Sequence, residues 1–457
     1  MASHNMIKLR QSEVLRRSFI VTSLALIAVG SLAEVGRAQF FGNRGAVGGV
    51  KVDVDGVLSN PQVAELKQLR QAWQAGLQEV PENLQQPTEL RFVSLKRLEA
   101  AAAAAQQAGE PIPDAVRFMA GLTRVKYVLV YPEQNDVVLA GPAEGWRVDA
   151  LGSVVGASSG QPVLLLDDLM VALRVAEQTN MSGISCSIDP TPEGMQRLQQ
   201  MAGSFAAGSN PRTVAREQEQ ALGLQKITVT GVPESSHFAR TLVAADFKMK
   251  RLGMGFERAP VDGLPSFLDM FSSRTAGLQN MMPRWWLAPN YEPIHRDADG
   301  LAWELRGQGV KCLTEQDMMT AGGGRQHTGQ GEEVAEKWSQ NFTEKFEELA
   351  REDSTFGQLR NVMDLSVVAA LLAKENLTQF AGLEMPQLTG GVALDEYAAP
   401  KSVASQASLV KKRGSWLISV SGGVQIFPWQ VADRTEVADE LASVRPEREA
   451  AGAGWYW

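Results

Sequence analysis

The sequence predicts an α+β fold: a mixed sheet with packed helices, made of β-α units plus an antiparallel meander, and a C-terminal helical hairpin. Three observations carry that expectation. Between residues 120 and 255, strand-like runs (Val125–Tyr131, Ile184–Ile188, Lys226–Thr230) alternate with helix-like ones, the rhythm of a sheet with helices laid on it. From Arg284, short apolar runs are parted by Asp299-Gly300 and Gly307-Gln308-Gly309, as in a meander. Beyond Gly331 two apolar-periodic segments follow one another closely, which suits a helical hairpin.

The first 38 residues read as an address rather than as fold. Arg16 and Arg17 precede a charge-free run of 15 residues, Phe19 to Ala33, and Gly36 and Ala38 give a small-x-small exit before Gln39. That order is the one found in secretory leaders, and Arg16-Arg17-Ser18-Phe19-Ile20 has the paired arginines of the twin-arginine type. A cleaved signal for export, to the periplasm or outside the cell, is the expectation. Retention of the leader as an anchor is the alternative, although its apolar run falls short of the roughly 20 residues a spanning helix needs. No later stretch reaches 18 consecutive apolar residues, so no transmembrane segment is expected once the leader is removed. The remaining organisation is an α/β-type region at 39–280, a meander with two helices at 281–377, and a linker, closing hairpin and loose tail at 378–457.

Of 44 basic and 52 acidic residues, five and two lie in the leader, which leaves 39 and 50 beyond it and a net charge near −11. Such a balance repels nucleic acid, so no nucleic-acid partner is expected. The only cysteines are Cys186 and Cys312. In an oxidising compartment they either pair as a disulfide or stay buried as small apolar groups. Two thiols exclude zinc ribbons and iron–sulfur clusters, and neither a metal cage nor a cofactor motif is evident.

The elements follow from local chemistry. Val50–Val54 alternates and stops at Asp55-Gly56, a strand into a turn. Ser59-Asn60-Pro61 starts a helix with Val63, Leu66, Leu69, Trp73 and Leu77 at helical spacing. Ser94 opens another through Leu95, Leu98 and the alanine tract 100–105, where alanine's helix propensity suffices as an explanation. Val125–Tyr131 turns at 132–136 into Val137–Leu139, a hairpin. Val163–Leu166 reads as a short strand entering a helix capped by Asp167. Thr191 and Ser236 start the next helices. At about 100° per residue, Val334, Trp338, Phe342, Phe346 and Leu349 share one arc, and Phe356–Lys374 forms the second arm. Trp416–Val420 and Val424–Phe427, joined by Ser421-Gly422-Gly423, read as a closing hairpin.

Several phrases recur together: AGPAEGW at 140–146, CSIDPT at 186–191, LVAADFKMKRLGMGFE at 242–257, Arg284-Trp285-Trp286, Gly307-Gln308-Gly309-Val310-Lys311 and His327-Thr328-Gly329. Over roughly residues 90–375 the chain thus resembles an uncharacterised family of exported proteins found mainly in planctomycete bacteria, known only as a domain of unknown function. The resemblance implies export and no particular reaction.

Candidate chemistry is sparse. Gly156-Ala157-Ser158-Ser159-Gly160 matches the nucleophile-elbow pattern, but Pro162 and an apolar strand follow where a helix is required, so a Gly/Ser turn is expected. Beyond the leader the histidines are His237, His295 and His327. On the helix from Ser236, His237, Arg240, Lys248 and Arg251 share a sector, and Arg240, Lys248 and Arg251 become candidates for holding an anion. Asp246 flanks the apolar stripe of that helix and is expected to be salt-bridged or to line a cleft. Asp297-Ala298-Asp299-Gly300 beside His295, and Asp53-Val54-Asp55-Gly56, lack the further ligands of a calcium loop and read as turns. His327 sits in a glycine-rich stretch, 320–331, expected to be an exposed loop. Trp285, Trp286, Trp429, Trp455 and Trp457 offer contact area where they are exposed, although most are expected in the core.

Two functions remain open at this level. One is a binding or structural component of the envelope or extracellular space, with a protein, small-molecule or glycan partner. The other is a hydrolase whose acidic and histidine groups are assembled only by folding, for which His237, Asp246 and His327 are the catalytic candidates.

Overall fold

The computed structural model describes residues 46–47, 50–202, 210–270, 280–281, 283–319, 325–327, 333–406, 408–411, 415–418, 420–446 and 456. The expected leader lies outside the described residues. Three short strands, β1 (Ala46–Val47), β2 (Val50–Val52) and β3 (Val57–Ser59), precede helix α1 (Val63–Gly76). The turn between β2 and β3 is made by Asp53, whose carboxylate accepts from the Asp55 and Val57 amides at 3.0 and 2.8 Å. Helix α1 begins two residues later than Pro61 suggested, because Gln62 and Glu65 form a reciprocal capping box.

Next come β4 (Thr88–Ser94), α2 (Leu95–Ala108), and the hairpin of β5 (Tyr127–Tyr131) with β6 (Asp136–Ala143). Ser94 caps α2 as expected, accepting from the Arg97 amide. A second hairpin pairs β7 (Trp146–Val148) with β8 (Val154–Gly156). Residues 163–165 are irregular rather than a strand, and α3 (Leu166–Val175) has Leu165 at its cap. Asp167 therefore lies inside the first turn, where its charge suits the helix N-terminus.

The central stretch is β9 (Ile184–Pro190), α4 (Pro192–Ala202), α5 (Pro211–Leu222), β10 (Leu224–Thr230) and α6 (His237–Gly253), which Ser236 caps. After β11 (Asn280–Met281) come β12 (Pro283–Asn290), β13 (Ile294–Arg296), β14 (Ala302–Glu304), β15 (Gly309–Met319) and β16 (Arg325–His327). Helices α7 (Glu333–Glu344), α8 (Phe346–Glu352) and α9 (Ser354–Lys374) follow. The chain ends with β17 (Ser402–Ala404), β18 (Ser408–Lys411), β19 (Ser415–Ile418), β20 (Ser421–Ile426), α10 (Pro428–Ala432) and β21 (Thr435–Val437).

The fold is α+β with two main sheets. One has ten strands in the order β1-β2-β3-β17-β10-β9-β20-β12-β15-β16, and the other six, β21-β13-β14-β5-β6-β4. The expected meander is therefore split. β12 and β15 pair in the first sheet, while β13 and β14 pair in the second. Gly307 and Gly309, at φ +109° and +95°, turn the chain from one to the other. The expected closing hairpin is also replaced. β20 inserts between β9 and β12, whereas β19 pairs with β18 and β11.

Helix α6 packs on β9 and β20, and α9 packs on α3, α6, α8 and α10. By length and composition α9 could cross a membrane, yet 94% of that apolar stretch is buried inside the fold. The expected helical hairpin has three pieces, since the first arm breaks at Lys345. Its aromatic stripe is nonetheless core: Trp285, Trp338, Phe342, Phe346 and Phe356 form a run of ring contacts 4.2–6.3 Å apart.

Residues 378–400 are a packed strap rather than a bare linker. Glu99 accepts from the Gln387 and Leu388 amides, and Arg174 donates to the Leu388 and Val392 carbonyls. The tail is also tied down where it begins. Arg445 donates to the Val130 carbonyl at 2.8 Å and stacks 4.3 Å from the Tyr131 ring. Trp285 is fully buried, and Trp286 is half-buried beneath the Arg284 guanidinium. Trp429 donates its ring N–H to the Ala176 carbonyl. Trp455 and Trp457 lie outside the described residues.

Candidate functional site

Helix α6 carries most of the candidates named above, and its two sides have different fates. His237 and Asp246 are nine residues apart, which at about 100° per residue is half a turn beyond two full ones. They lie on opposite sides of the helix. Nδ1 of His237 donates into the Asp168 carboxylate, with the two oxygens 3.0 and 2.9 Å away, and both side chains are buried. The Tyr397 ring meets His237 edge-on at 5.9 Å and lies 5.6 Å from the Arg240 guanidinium. Arg240 is itself buried, and that burial lowers its pKa to about 10.

On the opposite side, towards the sheet, Lys250 Nζ reaches Asp246 at 2.9 Å and the Ile188 and Gly422 carbonyls at 3.0 and 3.2 Å. Asp246 is therefore salt-bridged. Complete burial raises its pKa from 3.8 to about 7, against the pull of Lys250.

Lys248 and Arg251 are engaged by the protein itself, which argues against an anion site. Lys248 pairs with Asp353 and lies 3.5 Å from Glu257. Arg251 donates to Glu257 at 3.3 Å, to Gln406 Oε1 at 3.1 Å and to the Phe256 carbonyl at 3.4 Å. Two cations thus meet two carboxylates, and no net positive charge remains. Lys248, Arg251 and Glu257 border a cleft of about 180 Å³ between α6 and the start of α1, lined also by Asn60, Pro61, Leu66 and Phe247, with Val50 and Leu151. One water needs only about 10–15 Å³ measured this way, so the cleft admits a small molecule.

His327 lies in β16, at the edge of the ten-stranded sheet, with its backbone paired to Asp317. Its side chain and most of the surrounding glycine-rich stretch lie outside the described residues. Asp297 and His295 form no cation site. Asp297 accepts from the Leu301 and Ala302 amides at 2.7 and 3.1 Å, and His295 Nε2 lies 2.6 Å from Arg306. Among the described residues no cluster of His, Cys, Asp and Glu has the makings of a metal site.

The expected Gly/Ser turn has a specific occupant. Glu144, from the AGPAEGW phrase, accepts from the Ser158 amide at 2.6 Å and from the Ser159 amide at 3.1 Å. The backbone donors of the turn are thus spent on a carboxylate. A Cβ on Gly156 would stand 2.1 Å from Glu144 Oε1, so any larger residue there displaces the Glu144 side chain from the turn.

The cysteines remain free thiols, both buried. Cys186 pairs in register with Val424, Val424 with Leu287, and Leu287 with Cys312. Three strand spacings of about 4.8 Å put their Cα atoms roughly 14 Å apart, twice the ~7 Å limit for a disulfide. Burial raises both thiol pKa values well above the ordinary one.

Sequence reasoning missed Asp168, Glu257 and Asp353 as partners. Nothing local ties Asp168 to His237, 69 positions away. Glu257 was more accessible to inference. Gly253 and Gly255 end α6, so an acidic residue just beyond them can fold back onto Arg251, six positions earlier.

No curated protein and no solved structure matches the chain. Residues 186–267, the stretch that carries His237, Arg240, Asp246, Lys248, Arg251 and Glu257, match DUF1598, a family described as protein of unknown function.

Proposed function

We propose that this chain is an exported, non-catalytic binding protein of the bacterial envelope or extracellular space, and that it holds a small neutral glycan in the cleft beside α6. The observation that carries this reading is the charge balance of the cleft. Lys248, Arg251 and Glu257 line it, and Asp353, which pairs with Lys248 from outside the lining, cancels the remaining positive charge, so the walls offer donors and acceptors at overall neutrality. Phe247, Pro61 and Leu66 supply an apolar floor. A hydroxyl-rich ring with one apolar face suits such a lining, since its hydrogen bonds fix orientation while the floor excludes water. The placement of His237 and Asp246 on opposite sides of α6 supports a non-catalytic role, because general acid–base chemistry needs its groups within hydrogen-bond reach of one substrate.

Calorimetric titration with neutral mono- and disaccharides tests this. Binding that Asn60→Ala weakens about tenfold, equivalent to about 1.4 kcal/mol, is expected. If no neutral sugar binds at millimolar concentration, or if Asn60→Ala leaves binding untouched, the cleft is not the site. Export is tested separately. Lysine at both Arg16 and Arg17 blocks a twin-arginine route, and terminal sequencing of the exported protein reads whether cleavage occurs before Gln39. A hydrolase is the second reading, and it rests on the His237–Asp168 hydrogen bond, the arrangement of a general base and the group that orients it. Release of reducing sugar that His237→Ala abolishes would favour it.

A further inference from the structure

A second buried polar cluster lies where the chain passes between the two sheets, and it contains one arginine more than its carboxylate can serve. Arg124 presents Nε and a terminal nitrogen to the two oxygens of Asp364, each at 2.9 Å, and its other terminal nitrogen to the Gly307 carbonyl at 3.1 Å. The Tyr291 hydroxyl donates to the same carboxylate at 2.6 Å. Asp364, fully buried, is thereby committed. Arg360 on α9 is 2% exposed. One terminal nitrogen donates to Gln161 Oε1 at 2.7 Å, and its buried Nε has no hydrogen-bond partner among the described residues. Glu347 lies nearby but is exposed and, among the described residues, forms no ion pair with either arginine. Burial and the adjoining Arg124 charge lower the Arg360 pKa to about 10. Gly309 holds its positive φ against the aliphatic stem of Arg360, where a Cβ would stand 2.8 Å from Cγ.

We propose that Arg360 is the fork of an oxyanion-binding site, taking a carboxylate or phosphate group of a ligand that displaces the Gln161 amide. Arg124 uses the same Nε edge to hold Asp364, so the cluster already contains the bidentate pairing the site would make. Gln161 fills half of the Arg360 edge with a neutral oxygen and leaves Nε bare. It is half-buried and follows Gly160 in a turn, so its side chain lies between Arg360 and solvent. An unpaired buried cation is costly, and a second oxyanion removes that cost. The site is independent of the glycan cleft and shares none of its lining residues.

The test is thermal unfolding of the full chain in sodium acetate and in sodium phosphate, each against sodium chloride at matched ionic strength. At ten times Kd, the effective oxyanion raises Tm by about 2 °C over chloride. A response to acetate alone assigns a carboxylate ligand, and a response to phosphate alone a phosphate. Arg360→Lys, which keeps charge but loses the fork, abolishes the response and so separates binding from general salting effects. Should that variant fail to fold, Gln161→Glu carries the test, because it supplies the missing carboxylate from within. It unfolds at a higher temperature than wild type and no longer responds to either anion. Wild type indifferent to both oxyanions, or Gln161→Glu less stable than wild type, overturns the proposal.

Discussion

Asp246 and Lys250 on α6 face the sheet, while Lys248 and Arg251 on the same helix face the cleft. Both sides pair cations with carboxylates, yet the consequences differ. On the sheet side one acid and one base are both buried, and two backbone carbonyls complete the lysine's hydrogen bonds. On the cleft side four charged groups share contacts, and Glu257 keeps 37% of its side-chain surface in solvent. Desolvation makes the first arrangement all-or-none, since either partner alone is a stranded charge. Solvation makes the second graded, since water and neighbouring groups substitute for any one member. Charge content is therefore a poor guide to what a polar helix face does until its surroundings are known.

The largest expected effect breaks the sheet-side pair. Lys250→Met leaves Asp246 buried without its counter-charge and costs about 3–5 kcal/mol of unfolding free energy at pH 8. Replacing both, Asp246→Leu with Lys250→Met, returns stability to within about 1 kcal/mol of wild type or above it. Urea unfolding reads both. A single variant losing under about 1 kcal/mol at pH 8 would mean that the pair is not desolvated as its burial requires.

The pair also carries a pH signature. The Asp246 pKa is about 7 when folded against 3.8 for the ordinary carboxyl. Between those values the folded chain holds a proton that the unfolded chain has released, so this group's stabilisation is complete at low pH and is lost as pH rises to about 7. The difference in urea midpoint between wild type and Asp246→Asn isolates the effect. It shifts against wild type across that window and is flat above it. An opposite slope would place the folded pKa below 3.8.

His237 adds a third, smaller test. Alanine there leaves Asp168 buried without its donor and costs about 2–3 kcal/mol by urea unfolding. On the binding reading, sugar affinity in the cleft is unchanged, because the imidazole pairs with α3 on the far side from Asp246 and is not part of the cleft lining. Loss of sugar affinity without loss of stability would reverse that assignment.

What could be read in advance follows how far each interaction reaches along the chain. The Ser94 cap spans three residues, the Asp53 and Asp297 turns span two to five, and the Tyr127–Tyr131 hairpin closes over a four-residue turn. Periodicity also placed His237 and Asp246 on different sectors of one helix. It did not show what each sector meets. Asp168, Asp353 and Gly422 arrive from 69, 105 and 172 positions away, and nothing in the local pattern marks them. Sheet order failed for the same reason. An apolar strand such as Ser421–Ile426 is complementary to many neighbours, and only the whole fold sets it between β9 and β12. That insertion also separates Cys186 from Cys312, a pair whose spacing in sequence left bridging open.

The smallest effect closes the comparison from the cleft side. Glu257→Gln removes one of two carboxylates, yet Lys248 keeps Asp353 and Arg251 keeps Gln406 and the Phe256 carbonyl. With Glu257 more than a third exposed, its ion pairs are screened, and the substitution costs less than about 1 kcal/mol, a difference that shrinks further as salt rises. Urea unfolding at low and high ionic strength measures it. A loss as large as that of Lys250→Met, insensitive to salt, would show that the cleft charges are as desolvated as the sheet-side pair. The cleft would then be a closed part of the core, with no place for a ligand.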